Sequence, residues 1–122
     1  MSRALALIVL SCVALAAPAK AAEPRSPQEQ TGILKLAEIL GRSHALRQVC
    51  RGEEDGFWYD RMQKLIAVET PDDGFRRRLV EKFNEGFGAQ KAETPACPAD
   101  ADSRWRDLSA QGAQASRALS AP

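Results

Sequence analysis

Outside its first 21 residues the chain has two cysteines, Cys50 and Cys97, and their spacing constrains the fold more than anything else in the sequence. If they bond, the chain must return across 47 positions to close the loop. Such a closure stabilises a domain by about 4 kcal/mol in the chain-entropy model, a large share of the roughly 5 to 15 kcal/mol that a domain has. The other readings of the pair are a metal site and a redox site. Cysteine metal sites draw on further Cys or His ligands at short spacing, and this chain has a single histidine and no C-x-x-C. A lone pair in a small exported domain is ordinarily a structural bridge, so a Cys50 to Cys97 disulfide is expected.

The expectation of export comes from the start of the chain. Arg3 gives a positive beginning, Ala4 to Ala17 is an unbroken small and apolar run, and Ala19-Lys20-Ala21 has the small-x-small form that signal peptidase reads. Cleavage is expected after Ala21, with Ala19 and Ala22 as alternatives. The apolar run falls short of the ~20 residues that span a bilayer, and Glu23-Pro24-Arg25 turns polar at once, so no transmembrane anchor is expected in the mature chain. A second reading takes Val9-Leu10-Ser11-Cys12 as a lipobox that would anchor the protein in the envelope through a lipidated Cys12. Against it, the apolar run continues to Ala17, past the cysteine.

Removing residues 1–21 takes Arg3 and Lys20 from the 17 basic side chains, leaving 15 against 16 acids and a net charge of −1. Nucleic acid or anionic lipid would call for a clear basic excess, and neither is expected as a partner. The organisation read from the sequence is a signal peptide at 1–21, a flexible lead-in and start of the first helix at 22–32, and a single helical domain at 33–120.

Four segments carry helical periodicity. Ser26-Pro27-Gln28-Glu29 reads as a capping box with proline at the first helical position. The first helix runs from it to about Cys50, with Ile33, Leu36, Ile39, Leu40, His44, Leu46 and Val49 on its apolar face and Gly52 as a left-handed cap. A second helix is expected to begin within Glu53-Glu54-Asp55 and run to about Glu69, burying Trp58, Met62, Leu65 and Ile66. Thr70-Pro71-Asp72-Asp73 stops it and offers alternative caps for a third, which carries Phe75, Leu79, Val80, Phe83 and Phe87 inward and is weakened near Gly86 and Gly88. A fourth follows Pro98 with Trp105, Leu108, Gly112, Ala115 and Leu119 in register. Nothing shows sustained alternation with β-branched enrichment. The fold class is therefore all-α, a small four-helix bundle-like domain stapled by one disulfide.

The inventory for chemistry is thin. Gly41-Arg42-Ser43-His44-Ala45 has the outline of a nucleophile elbow but lacks the strand-to-helix turn and the second glycine. Glu53-Glu54-Asp55 before Phe57-Trp58-Tyr59 combines the acids and aromatics of a glycan site, yet a capped, core-facing helix shows the same pattern. Arg76-Arg77-Arg78 fans over about 200° of a helix and is expected to pair with Asp72, Asp73, Glu81 and Glu85. His44 is expected to be a partly buried, hydrogen-bonded residue. If a small-ligand or hydrolytic pocket exists between the first two helices, Glu38, His44, Arg47 and Glu54 are its candidates. No catalytic residue, metal ligand or cofactor motif is assigned.

Leu36-Ala37-Glu38-Ile39-Leu40-Gly41, His44, Leu46-Arg47, Cys50, Trp58 with Met62, Arg78-Leu79-Val80, Phe83-Asn84, Gly86-Phe87 and one late cysteine resemble an uncharacterised family of small exported alphaproteobacterial proteins with two well-separated cysteines. The resemblance runs from Leu36 to Leu119. It implies secretion and a disulfide, and it brings no activity, substrate or cofactor. The family's aromatic and polar stretch before the second cysteine is replaced here by Ala89-Gln90-Lys91-Ala92-Glu93-Thr94. The function expected from all this is a non-enzymatic interaction or structural module of the periplasmic envelope, with an unknown envelope protein or cell-wall component as partner. A small-ligand binder or hydrolase and a Cys12-anchored protein are the alternatives.

Overall fold

The computed structural model describes residues 24–120, and the proposed leader, its cleavage site and Cys12 lie outside them. The described chain forms α1 (Pro27–Arg51), α2 (Phe57–Glu69), α3 (Asp73–Glu93) and α4 (Ala101–Ser120). There is no strand among these residues.

The capping signals act as local chemistry predicts. Ser26 Oγ accepts from the Glu29 amide and Glu29 Oε2 accepts from the Ser26 amide at 2.7 Å, which closes the box. Asp72, one of the candidate caps, accepts from the Phe75 amide at 2.7 Å and starts α3. Gly52 ends α1 at φ 110°, a positive value as expected, but with ψ 153° it lies outside the left-handed helical region, in a conformation essentially open only to glycine. The start of α2 differs more. Its N-cap is Gly56, which has no side chain to cap with, and the Asp55 carboxylate is shared between Arg47 of α1 and the Phe57 amide. Glu53 and Glu54 therefore lie in the turn before the helix and not within it.

Successive helices alternate in direction, yet the tightest seam joins α1 to α3, which run parallel. Glu38 lies against Gly86 and Gly41 against Phe83 and Phe87, while Arg42 reaches Gln90 and Glu93. At Gly41 a Cβ would land on the Phe83 carbonyl oxygen, and at Gly86 it would land on that of Glu38. Each glycine thus lets the other helix's backbone into its place. This corrects the reading of Gly86 and Gly88 as weak points: α3 continues unbroken to Glu93, and Gly86 is buried at the seam.

α1 is consequently a hub. Ile33, Leu34, Ala37, Leu40, Met62, Ile66, Leu79 and Phe83 make the main core, with Trp58, Leu65 and Phe75 packed on it. On the other flank Ile39 and Leu46 meet Leu108, with Trp105, Val49 and Ala115 around them. The backbone of α4 lies close to α1 and to no other helix. It runs antiparallel, with Leu119 beside Gly32 and Gly112 beside Ile39. The Cys50–Cys97 disulfide forms as expected, with Cα atoms 4.7 Å apart. It fastens the end of α1 to the loop that leads into α4. Val80, read as inward, is 42 % exposed, and Phe75 and Phe87 are only half-buried. With the seam centred on Gly86, Leu79 and Phe83 point into it and Val80 falls outside.

Candidate functional site

Three of the four polar candidates lie on α1, but the structure gives them different surroundings. Glu38 pairs with Lys35 at 3.1 Å and with Arg42 at 3.5 Å. Partial burial pushes its carboxyl up, and the two cations outweigh this and hold it below its ordinary value. Glu54 is exposed in the turn before α2. His44 is buried among aromatic rings, with centroids of Phe87, Phe83 and Tyr59 at 5.4, 5.7 and 6.1 Å. Its Nδ1 has no hydrogen-bond partner among the described residues, contrary to the expected hydrogen-bonded histidine. Burial lowers its pKa, and the Asp55 charge opposes that in part. The Ser43 hydroxyl donates to the Ile39 carbonyl at 2.8 Å from a buried position inside α1, so the elbow-like string has neither the turn nor the exposed nucleophile that an elbow needs.

Arg47, the fourth candidate, organises a surface. Its Nε donates to Asp55 Oδ1 at 2.7 Å and Oδ2 at 2.8 Å, and Asp55 also accepts from the Phe57 amide at 3.2 Å. The Arg47 guanidinium holds the Asp55 carboxyl below the usual range. Arg47 also lies 4.6 Å from the Phe57 ring centre and Arg61 lies 4.7 Å from it. Phe57 meets Trp58 edge to face at 5.0 Å. Phe57 remains 40 % exposed and Tyr59 49 %. The result is a ledge of aromatic and guanidinium groups at the start of α2. Sequence reasoning treated Asp55 only as an acid favoured at a helix start and missed its part in this ledge. A signal was available, since an acid just after a glycine-ended helix can reach back to a base in that helix's last turns.

The arginine triplet also differs from its reading. Among the described residues none of Arg76, Arg77 and Arg78 makes an ion pair, and Glu85 pairs instead with Lys82 at 2.8 Å. Arg78 lies 5.7 Å from the Phe75 ring centre.

Two cavities accompany these surfaces. One, of about 550 Å³, lies where the lead-in meets the end of α2, lined by Pro24, Arg25, Glu29, Val68, Glu69 and Phe75 among others. Its charges are already engaged: Arg25 forks onto Glu69 with two bonds of 3.0 Å, and Glu29 belongs to the capping box. The other, of about 250 Å³, lies between the ends of α1 and α3, near the disulfide, with Ala45, Val49, Glu53, Phe87, Lys91 and Thr94 in its wall. Glu38, His44, Arg47 and Glu54 line neither. Among the described residues no helix is long and apolar enough to cross a membrane.

Fold and crosslink together define a small all-α domain whose four helices are built around α1 and locked by a single disulfide. Within that class, the chain belongs to the family described as "Protein of unknown function (DUF2385)", whose model matches residues 27–121. No curated protein and no solved structure matches the chain.

Proposed function

We propose that this protein is an exported helical module of the bacterial envelope that works by binding a partner protein through the ledge at the start of α2. The observation that carries the reading is the exposure of Phe57 between Arg47 and Arg61, with Tyr59 also exposed two residues further along α2. Aromatic and arginine side chains are the residues that dominate binding energy at interfaces. Phe57 is also held between two guanidiniums, so little side-chain freedom is lost when a partner covers it. Export is supported by the disulfide, which suits an oxidising compartment, and by the leader-like start of the chain. The non-catalytic reading is supported by how the polar groups are used: Glu38, Arg47 and Asp55 are engaged in ion pairs within the fold.

The test is a photocrosslinking residue placed at Phe57 or Tyr59 in the full chain expressed in its own cell, with the same residue at Arg106 on α4 as a control. The expected result is one discrete crosslinked envelope species from the α2 positions, lost when Arg61 is changed to Glu. Equal crosslinking from Arg106, or none from α2, overturns the docking surface. Intact-mass measurement of the same material tests export: a chain beginning near Ala22 with no free thiol is expected, and a retained leader with Cys12, Cys50 and Cys97 all reduced contradicts it. Added acyl mass on Cys12 would establish the lipid-anchored alternative instead.

A further inference from the structure

The smaller cavity, near the crosslink, has a composition that the larger one lacks. Its floor is apolar, built from Ala45, Val49, Phe87 and Pro95, and two opposite charges stand on its wall, Glu53 and Lys91. The two do not form an ion pair with each other, and the Glu53 carboxylate has no hydrogen-bond partner among the described residues; only its backbone carbonyl is used, accepting from Gln48 Nε2 at 2.8 Å. The Lys91 ammonium lies 5.7 Å from the centre of the Phe87 ring. The polar group beneath, Thr94, is committed elsewhere: its hydroxyl donates to the Gln90 carbonyl at 2.8 Å and accepts from Gln90 Nε2 at 3.3 Å. A ligand therefore meets one open carboxylate, one ammonium, the Gln48 amide, whose Nε2 is already given to the Glu53 carbonyl, and a hydrocarbon floor.

We propose that this cavity binds a free α-amino acid with an apolar side chain as its zwitterion. The ligand's ammonium faces Glu53, its carboxylate faces Lys91, and its side chain lies on Val49 and Phe87. Size favours a ligand of this class, since about 250 Å³ falls just below the ~300 to 1,000 Å³ typical of sites for drug-sized molecules. Charge placement favours it too, because a peptide end brings only one of the two charges to the same spot. The disulfide belongs to the site. Val49 and Glu53 flank Cys50, and Thr94 and Pro95 shortly precede Cys97, so the crosslink holds the two walls at their separation.

The experiment is an amide NMR titration of the oxidised mature chain with L-leucine, N-acetyl-L-leucine and L-leucinamide. Leucine is expected to shift the amides of Val49, Glu53, Lys91 and Thr94 saturably. The two analogues, each missing one charge, should bind about tenfold more weakly, as expected for loss of one charged hydrogen bond. Glu53→Gln should weaken leucine by about the same factor while leaving N-acetyl-leucine unchanged, and Lys91→Gln should do the converse with leucinamide. Both side chains are exposed, so the variants fold. Equal binding of all three compounds, tighter binding of either analogue, shifts confined to other parts of the chain, or no binding overturns the proposal. Crosslinking from Phe57 or Tyr59 does not depend on Glu53 or Lys91, so the two readings fail separately.

Discussion

The two sides of α1 are held by different means. Toward α3 the backbones meet through Gly41 and Gly86, and Leu79 and Phe83 fill the space around them. Toward α4 the contact is thinner, with Leu108 the one buried residue of that helix among those described and Trp105 and Ala115 half-buried beside it. The crosslink lies at the end of this second side. Close packing tolerates no added atom but needs no covalent help. The thinner flank instead has the crosslink at its end, which closes a 47-residue separation and stabilises by restricting the unfolded chain. A domain of this size can thus combine one interface fixed by shape with another fixed by connectivity.

Breaking the crosslink sets the largest expected effect. Cys50→Ser and Cys97→Ser should each lower stability by about 4 kcal/mol, and the double variant should add little, as expected for two ends of one bond. Hydrogen exchange should then show α4 amides losing protection before those at the α1–α3 seam. Uniform loss across all four helices would remove the distinction between the two sides.

Adding one methyl group at the seam comes next. Gly41→Ala and Gly86→Ala are each expected to cost about 3 kcal/mol, at the upper end of ordinary overpacking, because the obstacle is a backbone carbonyl that cannot rotate away. Gly88→Ala, where the new methyl meets nothing within 4 Å, should instead gain up to about 1 kcal/mol from helix propensity. Urea denaturation of the three variants measures the contrast, and similar values for all of them would contradict the close approach.

The smallest effect separates the sides by pH. His44, packed against Phe83 and Phe87 on the α3 side, has its pKa lowered from 6.5 by burial. The unfolded chain therefore takes up a proton before the folded one does, so stability is complete above pH 6.5 and falls as pH drops below it. The slope is at most about 1.4 kcal/mol per pH unit for one proton. The carboxyls with lowered values, Glu29, Glu38, Asp55 and Asp100, add their losses only below the ordinary carboxyl values of 4.5 and 3.8. Stability measured between pH 7 and 5 should therefore show the decline, and His44→Leu should abolish it. A decline that persists in His44→Leu would assign the effect elsewhere.

What could be read from the sequence was whatever neighbouring residues decide. The Ser26 and Glu29 box, the Asp72 cap and the break at Pro98 each depend on atoms within a few positions, and the structure has them where the sequence puts them. The cysteine pair was legible for a different reason, since its chemistry leaves few alternatives in a chain with one histidine. What could not be read depends on what stands opposite. Gly86 looks like a helix breaker until Glu38 is seen against it. Leu34, Ala37 and Ala45 were absent from the expected apolar face because a stripe suits a helix covered on one side, whereas α1 is covered on several. At the candidate site, Glu38, His44, Arg47 and Glu54 were grouped by their polarity, but Glu38 pairs within α1, His44 lies among aromatic rings, Arg47 reaches Asp55 and Phe57, and Glu54 is exposed. Glu53 was weighed only with the acids before Phe57, and Lys91 not at all, although both lie a few positions from a cysteine, where a crosslink draws distant side chains together.

The forked contact from Arg25 to Glu69 fixes where the chain enters the body. That point and the cystine lie at opposite poles of α1, whose 25 residues set them about 37 Å apart at the usual rise per residue. Any tether acting through the N-terminal side would thus hold the far pole outward, with the cavity beside Cys50 facing away from whatever the tether is fastened to.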